Sequence, residues 1–218
     1  MEIQKMCVII YKKPSIELSL DTLSLAITQN PDGLGVAYRK NDTWQIVKYM
    51  YPTDRQLKTL IDDLKGLEAV IHCRIATSGG INIRNCQPFL FNNSKMVLFH
   101  NGVISSLNGI NKTKSDTKLL TMLLEHDKIN IKDTLFSISE KTTNKFVLID
   151  DKDIVTLFGD YKEYKGLLCS NLYFIPQSKP KVYPTQLPIN NISNDVSNWF
   201  TSDCYLFKND FNNYNEDI

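Results

Sequence analysis

The chain opens MEIQKMCVII, residues 1–10, and places a cysteine, Cys7, directly after a second methionine. From Cys7 to Tyr11 the run CVIIY shows no polar–apolar alternation and holds three β-branched side chains, the composition of a strand covered on both faces. A cysteine at the head of such a run is in the first place a small buried hydrophobe. It becomes a different object if residues 1–6 are removed or never translated, because Cys7 then begins the chain with a free α-amino group.

Outward from this stretch, hydrophobic periodicity orders the rest. Leu20, Leu23 and Ile27 recur at helical spacing until N-P-D-G at 30–33, where Pro31 disfavours helix at Asn30. LGVAY and WQIVKY read as strands joined through the turn-rich KNDT. Thr53 and Gln56 form a capping box for a helix whose apolar face is Leu57, Leu60, Ile61 and Leu64, with Gly66 as its stop. EAVIHCRIATSGG predicts a strand running into a glycine-rich loop, and KMVLFHNG a strand ending in a turn at Asn101-Gly102. Ser115 can cap a helix with Asp116 in its first turn, and a shorter helix is expected near 131–139. KFVLID, DIVTLFG and LLCSNLYFI read as three further strands. This order favours stacked layers over an open parallel sheet, an α+β fold. The expected organisation is an extension at 1–6, one body at 7–178 and a tail at 179–218 rich in Asn and Pro.

The bulk composition, with 42% hydrophobic and 22% charged residues, is that of a chain able to bury a proper core. Lys and Arg number 25 against 24 for Asp and Glu, so no charge excess points to nucleic acid or to an anionic membrane surface, and neither is expected as a partner. Five scattered cysteines with no C-x-x-C and only three histidines argue against a zinc site or a disulfide framework and for a reducing compartment. MCVIIY is too short for a signal-peptide core, so a cytoplasmic protein is expected, and the reaction read below requires no metal and no organic cofactor.

Four polar clusters fall where elements begin or end: Cys7, H-C-R-I-A-T-S-G at 72–79, H-N-G at 100–102 and S-D-T at 115–117. Each has an ordinary structural role: a core cysteine, a strand-end arginine, an N-G turn and an acidic first helical turn. Together they supply a thiol nucleophile, donors for an oxyanion, a cation for a carboxylate and an anion for an ammonium group. The base is the missing part. A freed Cys7 α-amino group, with a reference pKa of about 7.7 to 8.0, could supply it, and His72 and His100 are alternatives. His126 reads as a solvated helix-end residue.

At these residues the chain resembles the class II glutamine amidotransferases of the N-terminal nucleophile hydrolase superfamily. The resemblance rests on MC at 6–7, NPDG at 30–33, HCRIAT at 72–77, HNG at 100–102 and SDT at 115–117, in the family's order, and it extends over roughly residues 6–175. It implies a four-layer αββα sandwich of two antiparallel sheets flanked by helices. It also implies roles: Cys7 as nucleophile, Asn101 and the Gly102 N–H as the oxyanion hole, Arg74 on the glutamine α-carboxylate, Asp116 on its α-ammonium group, and Thr77 shaping the pocket. Val8 and Gln87 depart from the usual glycine and histidine of the family, and Gln87 is expected to alter the loop over the substrate. The expected function is hydrolysis of glutamine through a Cys7 thioester, with any acceptor chemistry in a partner synthase subunit. Cleavage of another γ-glutamyl or small peptide-like amide, and a catalytically dead binding module, are the alternatives.

Overall fold

In the computed structural model, which describes residues 6–126 and 129–176, the opening run forms the strand β1 (Val8–Lys12), an inner strand of its sheet. In chain order there follow α1 (Leu20–Gln29), β2 (Leu34–Lys40), β3 (Thr43–Tyr49), α2 (Asp54–Asp63), β4 (Ala69–Cys73), β5 (Phe89–Phe91) and β6 (Met96–Asn101). The second half adds α3 (Asp116–His126), α4 (Ile131–Lys141), β7 (Lys145–Ile149), β8 (Val155–Phe158), β9 (Lys162–Tyr164) and β10 (Leu167–Cys169). One sheet has the order β3-β2-β4-β1-β10-β9 and the other β5-β6-β7-β8, every pairing being antiparallel.

Alternation along the strands divides the core into three slabs. Ile9, Ala37 and Val70 of the first sheet pack on Val97, Phe99, Val147 and Ile149 of the second. Val8, Ile10 and Ile71 face the other way, onto Leu23 of α1 and Leu57 and Leu60 of α2. Leu98, Phe146 and Leu148 pack beneath Leu120 and Leu124 of α3 and Leu135 of α4. The layer order is therefore helices, sheet, sheet, helices, the αββα sandwich expected above. Each fully buried aliphatic side chain contributes about 1.5–3 kcal/mol of burial free energy, which explains why CVIIY has no polar position: both of its faces are interior.

Local chemistry sets the element ends. The α2 capping box is present, with Gln56 N donating to Thr53 Oγ1 at 3.3 Å and Thr53 N donating to Gln56 Oε1 at 2.9 Å. Ser19 caps α1 by accepting from Thr22 N at 3.2 Å. The β2–β3 hairpin turns on Asn41 and Asp42, both at positive φ, as a tight two-residue turn requires.

The structure also corrects the sequence reading. LLCSNLYFI is not one strand: β10 ends at Cys169, because Ser170 and Asn171 turn their side chains onto β1. The three-residue strands β5 and β9 were not anticipated, and α4 runs on to Lys141, as long as α3. The His126 side chain and the tail expected from residue 179 lie outside the described residues, as does most of the 1–6 extension.

Candidate active site

The start of β1, the end of β4 with its following loop, the end of β6 and the start of α3 meet at one edge of the sandwich. There Cys7, Arg74, Thr77, Gly102 and Asp116 line a single narrow pocket of about 20 Å³. Asn101, the sixth residue singled out from the sequence, instead lines a neighbouring hollow of about 840 Å³ together with Met6 and Ser170.

Cys7 is half-buried, and among the described residues its Sγ bonds to backbone alone: it accepts from Ile75 N and donates to Ile75 O, both at 3.3 Å. Burial pushes the thiol up to about 11, against the opposing effects of the Ile75 bond and the Arg74 charge. Neither histidine serves it in this arrangement. His100 is buried, with Nδ1 on Thr117 Oγ1 and Nε2 on Asn144 Oδ1, each at 2.8 Å, and its ring stacks on Phe146. His72 is fully buried on the inter-sheet face of β4, where burial lowers its pKa to about 3, and neither of its ring nitrogens has a described partner.

Arg74 and Asp116 are both only 4% exposed. The guanidinium donates to the carbonyls of Ser78 at 3.0 Å and Gly80 at 3.3 Å, and no carboxylate pairs with it among the described residues. Asp116 accepts from Ile104 N and Thr117 N at 2.8 Å and from Ser78 Oγ at 3.3 Å, again with no described cation bonded to it. Buried charges are normally paired, since burial of an unpaired one is costly. Two opposite charges left unpaired in one pocket suit a ligand that carries both.

The surrounding motifs hold these groups in place. In the NPDG loop Asp32 Oδ2 accepts from Ala76 N at 2.8 Å, while Asp32 N and Gly33 O pair with the Arg74 backbone. Asn85 joins the glycine-rich loop to α3, donating to Gly80 O and Thr113 O and accepting from Ser115 N. Gly102 has φ +145°, and a methyl group there would overlap Asn144 Oδ1, so this position of the H-N-G motif admits only glycine. Gln87 itself lines the narrow pocket. It is buried, accepting from His100 N at 2.6 Å and donating to His100 O at 3.0 Å, and so supplies His100 with the pairing that a neighbouring strand would have given.

Two polar residues that the strand reading of 167–175 obscured complete the arrangement. Ser170 Oγ accepts from Ile9 N at 2.8 Å and from Asn101 Nδ2 at 2.7 Å, tying β1 to the end of β6 across the two sheets. Asn171 Nδ2 donates to Cys7 O at 2.7 Å. Asn101 Oδ1 is buried without a described partner. The only available sequence signal was a polar S-N pair inside an apolar run.

Among the described residues no group of three or more His, Cys, Asp or Glu is placed to hold a metal, and no helix is long and apolar enough to cross a membrane. The glutamine phosphoribosylpyrophosphate amidotransferase from B. subtilis, solved with ADP and GMP, is similar at 19% identity and TM-score 0.46, over 76% of this chain and 41% of that one. The chain thus spans about two fifths of that enzyme's length. A glutamine aminotransferase class-II domain protein from Silicibacter pomeroyi is similar at 16% identity and TM-score 0.35, over 66% of this chain and 73% of that one. No curated protein matches. The family model for class-II glutamine amidotransferases matches residues 5–120, more than half of the chain and all of its four polar clusters, and the chain belongs to that family.

Proposed function

We propose that this protein, once Cys7 carries a free α-amino group, is a cytoplasmic glutamine amidohydrolase working through a Cys7 thioester. The carrying observation is the pair of unpaired buried charges, Arg74 and Asp116, in the pocket that Cys7 lines. A glutamine α-carboxylate would replace the Ser78 and Gly80 carbonyls on Arg74, so the 78–80 loop must yield as substrate enters the narrow pocket. The α-ammonium group would neutralise Asp116, and Thr77 would form part of the wall.

The side-chain amide carbon is then attacked by Cys7 Sγ, whose proton passes to the Cys7 α-amino nitrogen. A half-turn of the Asn101 amide lets Oδ1 accept the Ser170 hydroxyl proton and frees both N–H bonds of Nδ2, one of which, with Gly102 N–H, holds the oxyanion. The proton returns from the α-amino group to the leaving nitrogen, ammonia departs, and water cleaves the thioester to glutamate. Ammonia is either released or passed to a synthase on a partner chain.

Ammonia release from glutamine by protein beginning at Cys7, compared with protein retaining residues 1–6 and with Cys7→Ala, tests this reading. Activity confined to the first form is expected. Glutamine turnover equal in all three would sink the proposal, and intact mass of the native protein reports which form exists.

A further inference from the structure

The 840 Å³ hollow has no part in gripping the glutamyl end, yet it adjoins the reacting groups. Met6 and Asn101 line it, while their chain neighbours Cys7 and Gly102 line the narrow pocket. The two spaces therefore adjoin one another at the Met6-Cys7 and Asn101-Gly102 positions. The narrow pocket is filled by an amino-acid end; the hollow is forty times larger in volume and open to groups on its rim.

Which side the leaving nitrogen takes follows from the proton. The acid assigned to the departing amine is the Cys7 α-ammonium group, since among the described residues no side-chain acid or base is bonded to the thiol. The Cys7 nitrogen is bonded to Met6, and Met6 faces the hollow. A leaving nitrogen within reach of that proton thus faces the hollow too, and removal of Met6 enlarges the space around it. Its lining mixes polar groups, among them Glu140 on α4 and Thr143 and Asn144 after it, with the apolar Phe136, Leu157 and Phe158. Ammonia alone makes no use of such a wall.

We propose that the hollow is a leaving-group site that takes the amine portion of an N-substituted γ-glutamyl amide. The inference rests on the assignment of Cys7 as nucleophile given above and extends it to substrates larger than glutamine. In the step itself the Cys7 S–C bond forms and the C–N bond breaks. The proton taken from the thiol leaves on the amine, R–NH₂, and water then adds to the thioester, yielding glutamate and restoring the thiol.

The test uses protein beginning at Cys7, with L-glutamine, γ-glutamylmethylamide and the dipeptide γ-glutamylglycine as substrates and glutamate release as the readout. Thr143→Trp, at an exposed position on the rim, partly fills the hollow without touching the narrow pocket. The substituted amides are expected to turn over with kcat/KM at least equal to that of glutamine. Thr143→Trp should lower kcat/KM for γ-glutamylglycine at least tenfold and leave glutamine within twofold. Glutamine cleaved with the substituted amides untouched would overturn the leaving-group site while leaving the glutaminase reading intact, as would a Thr143→Trp effect equal on all three. No cleavage of any substrate would overturn both.

Discussion

Arg74 and Asp116 reach the same narrow pocket from different elements, the end of β4 and the first turn of α3, and neither finds an ion-pair partner among the described residues. Two full charges at 4% exposure are costly to bury, and both are held here by hydrogen bonds to uncharged groups.

Substitution of Arg74 should therefore appear in substrate binding. Arg74→Lys keeps the charge and loses the planar fork, and kcat/KM for glutamine should fall about 10²-fold, mainly through KM. Steady-state kinetics on protein beginning at Cys7 decides this. An unchanged KM would make Arg74 a prop for the 78–80 loop only.

Ser170 is expected to act through Asn101. Asn101→Ala should lower turnover by about 10² to 10³, the scale of one oxyanion donor. Ser170→Ala should lower kcat about tenfold with KM unchanged, through loss of the Asn101 orientation. In the Asn101→Ala background the Ser170→Ala change should have no further effect on kcat. Additive losses in that cycle would show that Ser170 only braces β1 through Ile9.

Gly102 and Gly109 separate steric from conformational cost. Both have positive φ, but a methyl at Gly102 meets Asn144 while at Gly109 nothing lies within 4 Å. Gly109→Ala should cost about 1 kcal/mol and Gly102→Ala several, measured by denaturant unfolding. Equal costs would mean that Asn144 moves aside freely.

The Cys7 thiol, pushed up to about 11 by burial, should be mostly protonated at neutral pH while residues 1–6 remain attached. Iodoacetamide labelling of Cys7 in that form should accelerate about tenfold per pH unit from pH 7 toward pH 11. With the α-amino group free, titrating near its reference value of about 7.7 to 8.0, the acceleration should begin and level off at lower pH. Site-resolved mass spectrometry of the labelled cysteine reads the difference, and identical pH profiles would argue that the amine does not serve the thiol.

Periodicity and capping were enough for the longer elements. The α2 box at Thr53 and Gln56 and the two-faced run CVIIY are statements about adjacent residues, and short-range sterics and burial fix them whatever the rest of the chain does. The strands β5 and β9 were not legible because three residues carry too little pattern to stand out, and they exist only through the partners β6 and β10. Ser170 could not be read as a site residue for a related reason: its hydroxyl matters only because Ile9 and Asn101, 161 and 69 positions away, arrive beside it.

The sequence by itself determined which candidate site groups exist and in what order: Cys7, Arg74, Asn101-Gly102 and Asp116, each at the end of an element that local patterning predicts. Tertiary structure decided their relationships. It left Arg74 and Asp116 buried without an ion-pair partner among the described residues, occupied both ring nitrogens of His100, paired Gln87 with the His100 backbone, and divided the Met6-Cys7 and Asn101-Gly102 pairs between a narrow pocket and a wide hollow. Burial and pairing are properties of groups brought together from distant parts of the chain, and the free energies that tune them arise only once two sheets close on each other.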